Sequence, residues 1–77
     1  MRNPMAERLV RASLAKFEAD RQEAITVIEL YLNNPVGVPE HSSIVNEITT
    51  AISRLADAED AIAAIERNFV GAEEDDE

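Results

Sequence analysis

The sequence has no cysteine and no tryptophan, only two glycines and one histidine, and three aromatic residues, Phe17, Tyr31 and Phe69. Each shortage closes off a class of protein. Without cysteine there is neither a disulfide framework nor a thiolate metal site, so helix packing or oligomerisation must supply the stability that small domains otherwise draw from staples. Two glycines leave no glycine-rich phosphate loop. Few aromatics beside a large stock of Ala, Ile and Leu indicate thin helix–helix interfaces and not a thick core. No apolar run approaches the roughly 18 residues that span a bilayer, and the start, MRNPMAERLVRASLAKF, lacks the uninterrupted apolar stretch of a signal peptide. The expectation is a chain that is not secreted and has no membrane partner.

A chain of 77 residues makes one small domain, and folding buries only about 60% of the surface such a chain exposes when unfolded. What is present is periodicity. Asn3 before Pro4 reads as an N-cap with proline at the first helical position, where its missing N–H costs nothing. From there apolar residues alternate in steps of four and three: Val10, Leu14, Phe17, then Arg21, Ala24, Ile28 and Tyr31, a heptad series with one charged interruption. The segment NNPVGVP (33–39) stops the helix, since Asn accepts the left-handed cap conformation, proline blocks continuation and Gly37 permits a tight turn. Ser42 or Ser43 can then cap a second helix. Its series Ile44, Ile48, Ala51, Leu55, Ala58, Ile62, Ile65 and Phe69 contains no polar residue.

The predicted fold is all-α, an antiparallel, coiled-coil-like two-helix hairpin over residues 1–71, followed by an acidic tail over 72–77. Helix 1 is expected at about 4–32, the loop at 33–41 and helix 2 at about 42–70. Counting outward from the turn places Tyr31 beside Ile44, Ile28 beside Ile48, Phe17 beside Ala58, Leu14 beside Ile62 and Val10 beside Ile65. Phe69 is expected to close the open end against Met5 and Ala6. Arg21 falls opposite Leu55, where its stem can lie on the seam while the guanidinium reaches Glu18, Asp57 or Glu59.

Near the turn there are more apolar residues than one stripe per helix accommodates: Ile25, Val27, Leu30 and Leu32, with Val45 and Ile52 across the hairpin. Soluble monomers seldom leave such a patch uncovered. Self-association into a four-helix bundle, or docking on a different protein, is expected through Ile25, Ile28, Leu32, Val45, Ile48 and Ile52.

Charge is uneven. The net charge of −9 is carried almost wholly by the part after the turn, through Asp57, Glu59, Asp60, Glu66 and the tail acids Glu73, Glu74, Asp75, Asp76 and Glu77. Arg2, Arg8, Arg11 and Lys16 gather at the start of helix 1. An acidic chain repels phosphate, so direct nucleic-acid binding is not expected. The acids do suggest an alternative, an inhibitor that imitates nucleic acid on a cationic groove, although Arg54, Arg67 and the uncharged Thr49, Thr50 and Ser53 interrupt the row.

Catalytic constellations are sparse. His41 with Glu40 and Glu47 is the one group resembling a metal site, and a single imidazole beside exposed carboxylates binds most metals weakly, so no metal, cofactor or small-molecule ligand is expected. Asp57 and Asp60 stand one helical turn apart, but a two-helix hairpin offers no pocket to desolvate them. An enzyme is not expected.

The segment NNPVGVPEHSSIVNEI (33–48), with the later LADAEDAIAAIE, resembles small acidic helical proteins of tailed bacteriophages, especially marine and cyanobacterial ones. Those carry Asn-Pro, a Gly two residues on, and Glu-His before an Ile-rich helix ending in Ala/Asp/Glu repeats. This chain departs from them at Pro39 and Ser42. The resemblance implies no activity; it implies a virion component, an assembly adaptor or a host-directed inhibitor, in the infected cell's cytoplasm or in the virion, with a homo-oligomer or a larger phage or host protein as partner.

Overall fold

A computed structural model describes residues 3–33 and 41–70 as two helices packed side by side. Helix α1 spans Pro4–Asn33 and α2 spans His41–Ile65, and a π-helical turn, Glu66–Val70, continues α2. The architecture is the expected all-α hairpin. The expected turn at 34–39, Glu40 of the His41 group, and the tail acids Glu73, Glu74, Asp75, Asp76 and Glu77 lie outside the described residues.

Local chemistry explains where α1 starts. The Ala6 N–H donates to the Asn3 Oδ1 at 2.8 Å, and the Glu7 N–H donates to the Asn3 carbonyl at 3.1 Å. Asn3 thus caps the helix as its position before Pro4 predicts, and the cap satisfies one of the amide donors that a helix N-terminus leaves open. At its other end α1 extends one residue past the expected limit, to Asn33. Helix α2 begins at His41, one residue early, which places Ser42 and Ser43 inside its first turn and not ahead of it.

The helices run antiparallel, in the register read from the turn. Phe17 meets Ala58 in one shallow depression, and Val10 meets Ile65 in another. Every seam residue of α1 from Val10 to Tyr31 is buried or half-buried, and so is every one of α2 from Ile44 to Ile65. The small ones are the most deeply withdrawn: Ala24, Ala51 and Ala58 are 0%, 3% and 2% exposed. Ile44 is the one larger core residue, and no large side chain among the described residues is fully buried. Alanines at these points let the backbones approach closely, and the bulkier Phe17, Ile28 and Leu55 fill the space beside them.

This makes a narrow rod, 56 × 18 × 16 Å. It exposes 5801 Å², where a compact chain of its mass would expose about 4,700 Å². A hairpin of this shape has almost no interior, so its stability rests on the single seam. No helix among the described residues is long and apolar enough to cross a membrane.

One seam expectation needs correcting. Phe69 does not continue the buried row: it is 49% exposed and borders a depression of about 200 Å³ with Leu9, Val10, Ser13 and Ile65. The cause is the π-helical turn, whose wider winding carries residues after Ile65 off the heptad phase. The Asn68 side-chain amide donates to the Ala64 carbonyl at 2.8 Å, an additional partner for the backbone where the winding changes.

Candidate functional site

Two cross-helix ion pairs sort the outside of the hairpin into sides. The Arg21 Nε lies 3.3 Å from the Glu59 Oε2 in a charge-assisted hydrogen bond, and an Arg54 guanidinium nitrogen lies 3.3 Å from the Glu23 Oε1. Arg21 is a seam residue whose head group leans out to one flank, so Glu59 was reachable, as were Glu18 and Asp57 in the expectation. The Arg54–Glu23 pair sits on the opposite flank, together with the depression lined by Phe17, Asp20, Arg54, Asp57 and Ala58.

Helical spacing carries each flank along the rod. Seven residues make two turns, so residues at that spacing share a side. On the Arg54 side, stepping from Glu23 gives Leu9, Lys16 and Leu30 on α1, and stepping from Arg54 gives Glu47 and Ala61 on the facing α2. That side is mixed and mostly polar. On the Arg21 side, Glu59 continues the column of Val45 and Ile52, and the facing column of α1 is Arg11, Glu18, Ile25 and Leu32. Here the two columns meet as Leu32 with Val45 and Ile25 with Ile52, in the same register that the Glu23–Arg54 contact shows on the other flank.

The Arg21 side is therefore apolar over its turn-proximal half and charged beyond. Leu32, Val45 and Ile52 are 63%, 62% and 51% exposed, and Ile25 is half-buried. These four of the six expected interaction residues form one strip. Ile28 and Ile48 do not belong to its outer surface, because both are half-buried in the seam between the helices, where the heptad pattern also places them. Leu30 is exposed but lies on the other side, in the Leu9 column.

The acids on α2 and its continuation are dispersed. Asp57, Glu59, Asp60 and Glu66 are all exposed, yet Glu59 faces the Arg21 side while Asp57 joins Arg54 on the opposite one. No single stripe of carboxylates results. Among the described residues no three His, Asp or Glu side chains lie close enough to hold a metal ion together. The depressions are open and shallow; one of about 380 Å³ lies between Glu18, Arg21, Gln22 and Ile62.

A second apolar group, at the open end, escaped the sequence reading. Met5, Leu9, Phe69 and Val70 are all exposed there, with Leu9 and Phe69 beside the same depression. Leu9 could have been found, since it stands one position before the seam residue Val10 and begins the column that ends at Leu30. The exposure of Phe69 could not, because it depends on the π-helical turn.

No protein-family model, curated protein or solved structure matches the chain.

Proposed function

We propose that this protein is a non-catalytic interaction module that binds another helical protein surface through the apolar strip of Ile25, Leu32, Val45 and Ile52. One observation carries the reading: three of these side chains are more than half exposed on a single side of a rod that has almost no core. Exposed aliphatic side chains at two-turn spacing on both helices suit helix packing, since each new helix laid along them repeats the geometry of the internal seam. Removing such side chains from water is worth about 1.5–3 kcal/mol for each one fully covered. A phage structural or assembly adaptor, the role that the resemblance implies, is the specific form of this reading.

The alternative, an acidic inhibitor imitating nucleic acid, has less to rest on, because the α2 acids point to different sides and Glu59 is already engaged by Arg21. The two readings separate in one experiment. Ile25→Glu combined with Ile52→Glu is expected to abolish self-association or partner capture while leaving helicity intact, with modest sensitivity to salt. Neutralising Asp57, Glu59 and Asp60 should change little. If the apolar double variant bound as before and the neutralised one did not, the inhibitor reading would replace this one.

A further inference from the structure

We infer that the occupant of the apolar strip is a basic amphipathic helix of another protein, about four turns long, with lysine or arginine along the edge that lies over α1. The inference rests on the proposed use of the strip and adds the chemistry of its partner.

The charges bordering the strip divide by helix. On α1, Glu18 lines the depression on this side with Arg21, Gln22 and Ile62, and a step of seven from Gln22 reaches Glu29, between the Ile25 and Leu32 layers. Glu18 and Glu29 are exposed, and neither makes an ion pair among the described residues. The edge of α2 is uncharged beside the apolar layers: four positions after Val45 and Ile52 stand Thr49 and Ala56. Thr49 turns its hydroxyl back to donate to the Val45 carbonyl at 2.6 Å. Level with Glu18, Glu59 is answered by Arg21 at 3.3 Å. The unanswered charge is therefore negative, and it lies along one edge.

Length follows from the same columns. The strip and these acids extend fourteen positions on each helix, from Leu32 to Glu18 and from Val45 to Glu59, about 21 Å. Beyond Glu18 the columns of α1 reach Ala15, Arg11 and Arg8, where the sign of the charge reverses, so a cationic helix gains nothing by reaching further. Just past Ile25 lies the depression of about 380 Å³ between Glu18, Arg21, Gln22 and Ile62. One long cationic side chain can enter it, with its stem on Ile62 and its charge on Glu18. Arg21 is held by Glu59 and leaves Glu18 available.

A second copy supplies the wrong chemistry. Its strip carries the same acids, and the one cation there, Arg21, is already engaged. Laid in the same direction, it would set Glu18 of each chain against Glu59 of the other. A neutral or acidic helix would cover Glu29 without an opposite charge, which costs affinity. Flanking charge of this kind selects partners in helical bundles more than the apolar layers do.

Two synthetic helical peptides of about sixteen residues test this on the full chain. Both carry leucine at alternating steps of three and four and glutamine along one edge; the other edge is lysine in one peptide and glutamate in the second. Fluorescence anisotropy should show the lysine peptide binding at least about tenfold more tightly than the glutamate peptide. Glu18→Lys combined with Glu29→Lys should reverse that preference, with circular dichroism confirming that the variant remains helical. Neutralising Asp57 and Asp60 should leave the preference unchanged, which separates recognition at the strip from attraction to an acidic chain as a whole.

Equal binding of the two peptides, binding of neither, or a preference that Glu18→Lys with Glu29→Lys does not alter overturns the cationic partner. A native chain that is dimeric by light scattering, and whose dimer the lysine peptide does not dissociate, overturns it in favour of a second copy. Failure of the strip itself would appear separately, as lysine-peptide binding undiminished in Ile25→Ser with Ile52→Ser, a change that adds no charge.

Discussion

Arg21 and Glu59 are 38 positions apart in the chain, and their side chains meet at 3.3 Å across the two helices. The contact turns an apparent defect in the heptad series into a marker of which flank faces which. Arg21 keeps its stem on the seam and its charge at the surface, the arrangement long cationic side chains adopt when a packed stripe runs beneath them.

Because both partners are well exposed, at 39% and 52% of their side chains, the pair contributes at most about 1 kcal/mol. Arg21→Leu is therefore expected to keep the hairpin, with a change in unfolding free energy of about 1 kcal/mol or less in either direction. Thermal and urea melts followed by circular dichroism measure it. An unfolded Arg21→Leu variant would mean that the seam runs elsewhere.

The alanines provide a sharper check of register. Ala58 is buried against Phe17, whereas Ala56, two residues earlier, is exposed. Ala58→Leu should cost about 1–3 kcal/mol by forcing extra volume into a closed contact, while Ala56→Leu should stay within about 0.5 kcal/mol. Urea titrations of both at one protein concentration make the comparison, and equal costs would contradict the packing.

The start of α1 depends on a single side chain. Removing the Asn3 acceptor with Asn3→Ala should destabilise the hairpin by about 0.5–2 kcal/mol, and Asn3→Asp, which keeps a side-chain oxygen, should restore most of it. The readout is the urea midpoint; a neutral Asn3→Ala would show that α1 does not need its cap.

At the open end, Phe69 is half exposed while Phe17 packs in the seam. Phe17→Ala should therefore cost more than Phe69→Ala, toward the 3–5 kcal/mol seen for aromatic truncation in cores, against roughly half of that at the outer position. The order of the two denaturation midpoints decides the matter.

Much of this hairpin can be read from its letters, because a four-three alternation on both arms and one short break between them leave a single way to fold back. Phe17 opposite Ala58 and Val10 opposite Ile65 followed from counting alone. What counting missed has one physical source. Heptads assume constant winding, and the π-helical turn at Glu66–Val70 breaks it, so Phe69 left the seam and the open end acquired apolar surface. The strip needed side as well as spacing: Leu30 and Leu32 look alike in the sequence, yet a difference of two residues sends them to opposite flanks. Ile28 and Ile48 satisfied two patterns at once, and the closer contact, the seam, took them.

The absence of any large, fully buried side chain among the described residues has a consequence for how the hairpin opens. In a thick domain, amide exchange with solvent slows with depth. In a rod one seam wide no amide lies deep, so protection must instead follow distance from the ends. Fraying should advance from the termini toward the waist, where Ala24, Ala51 and the two ion pairs hold the helices together. The slowest-exchanging amides would then mark the middle of the rod.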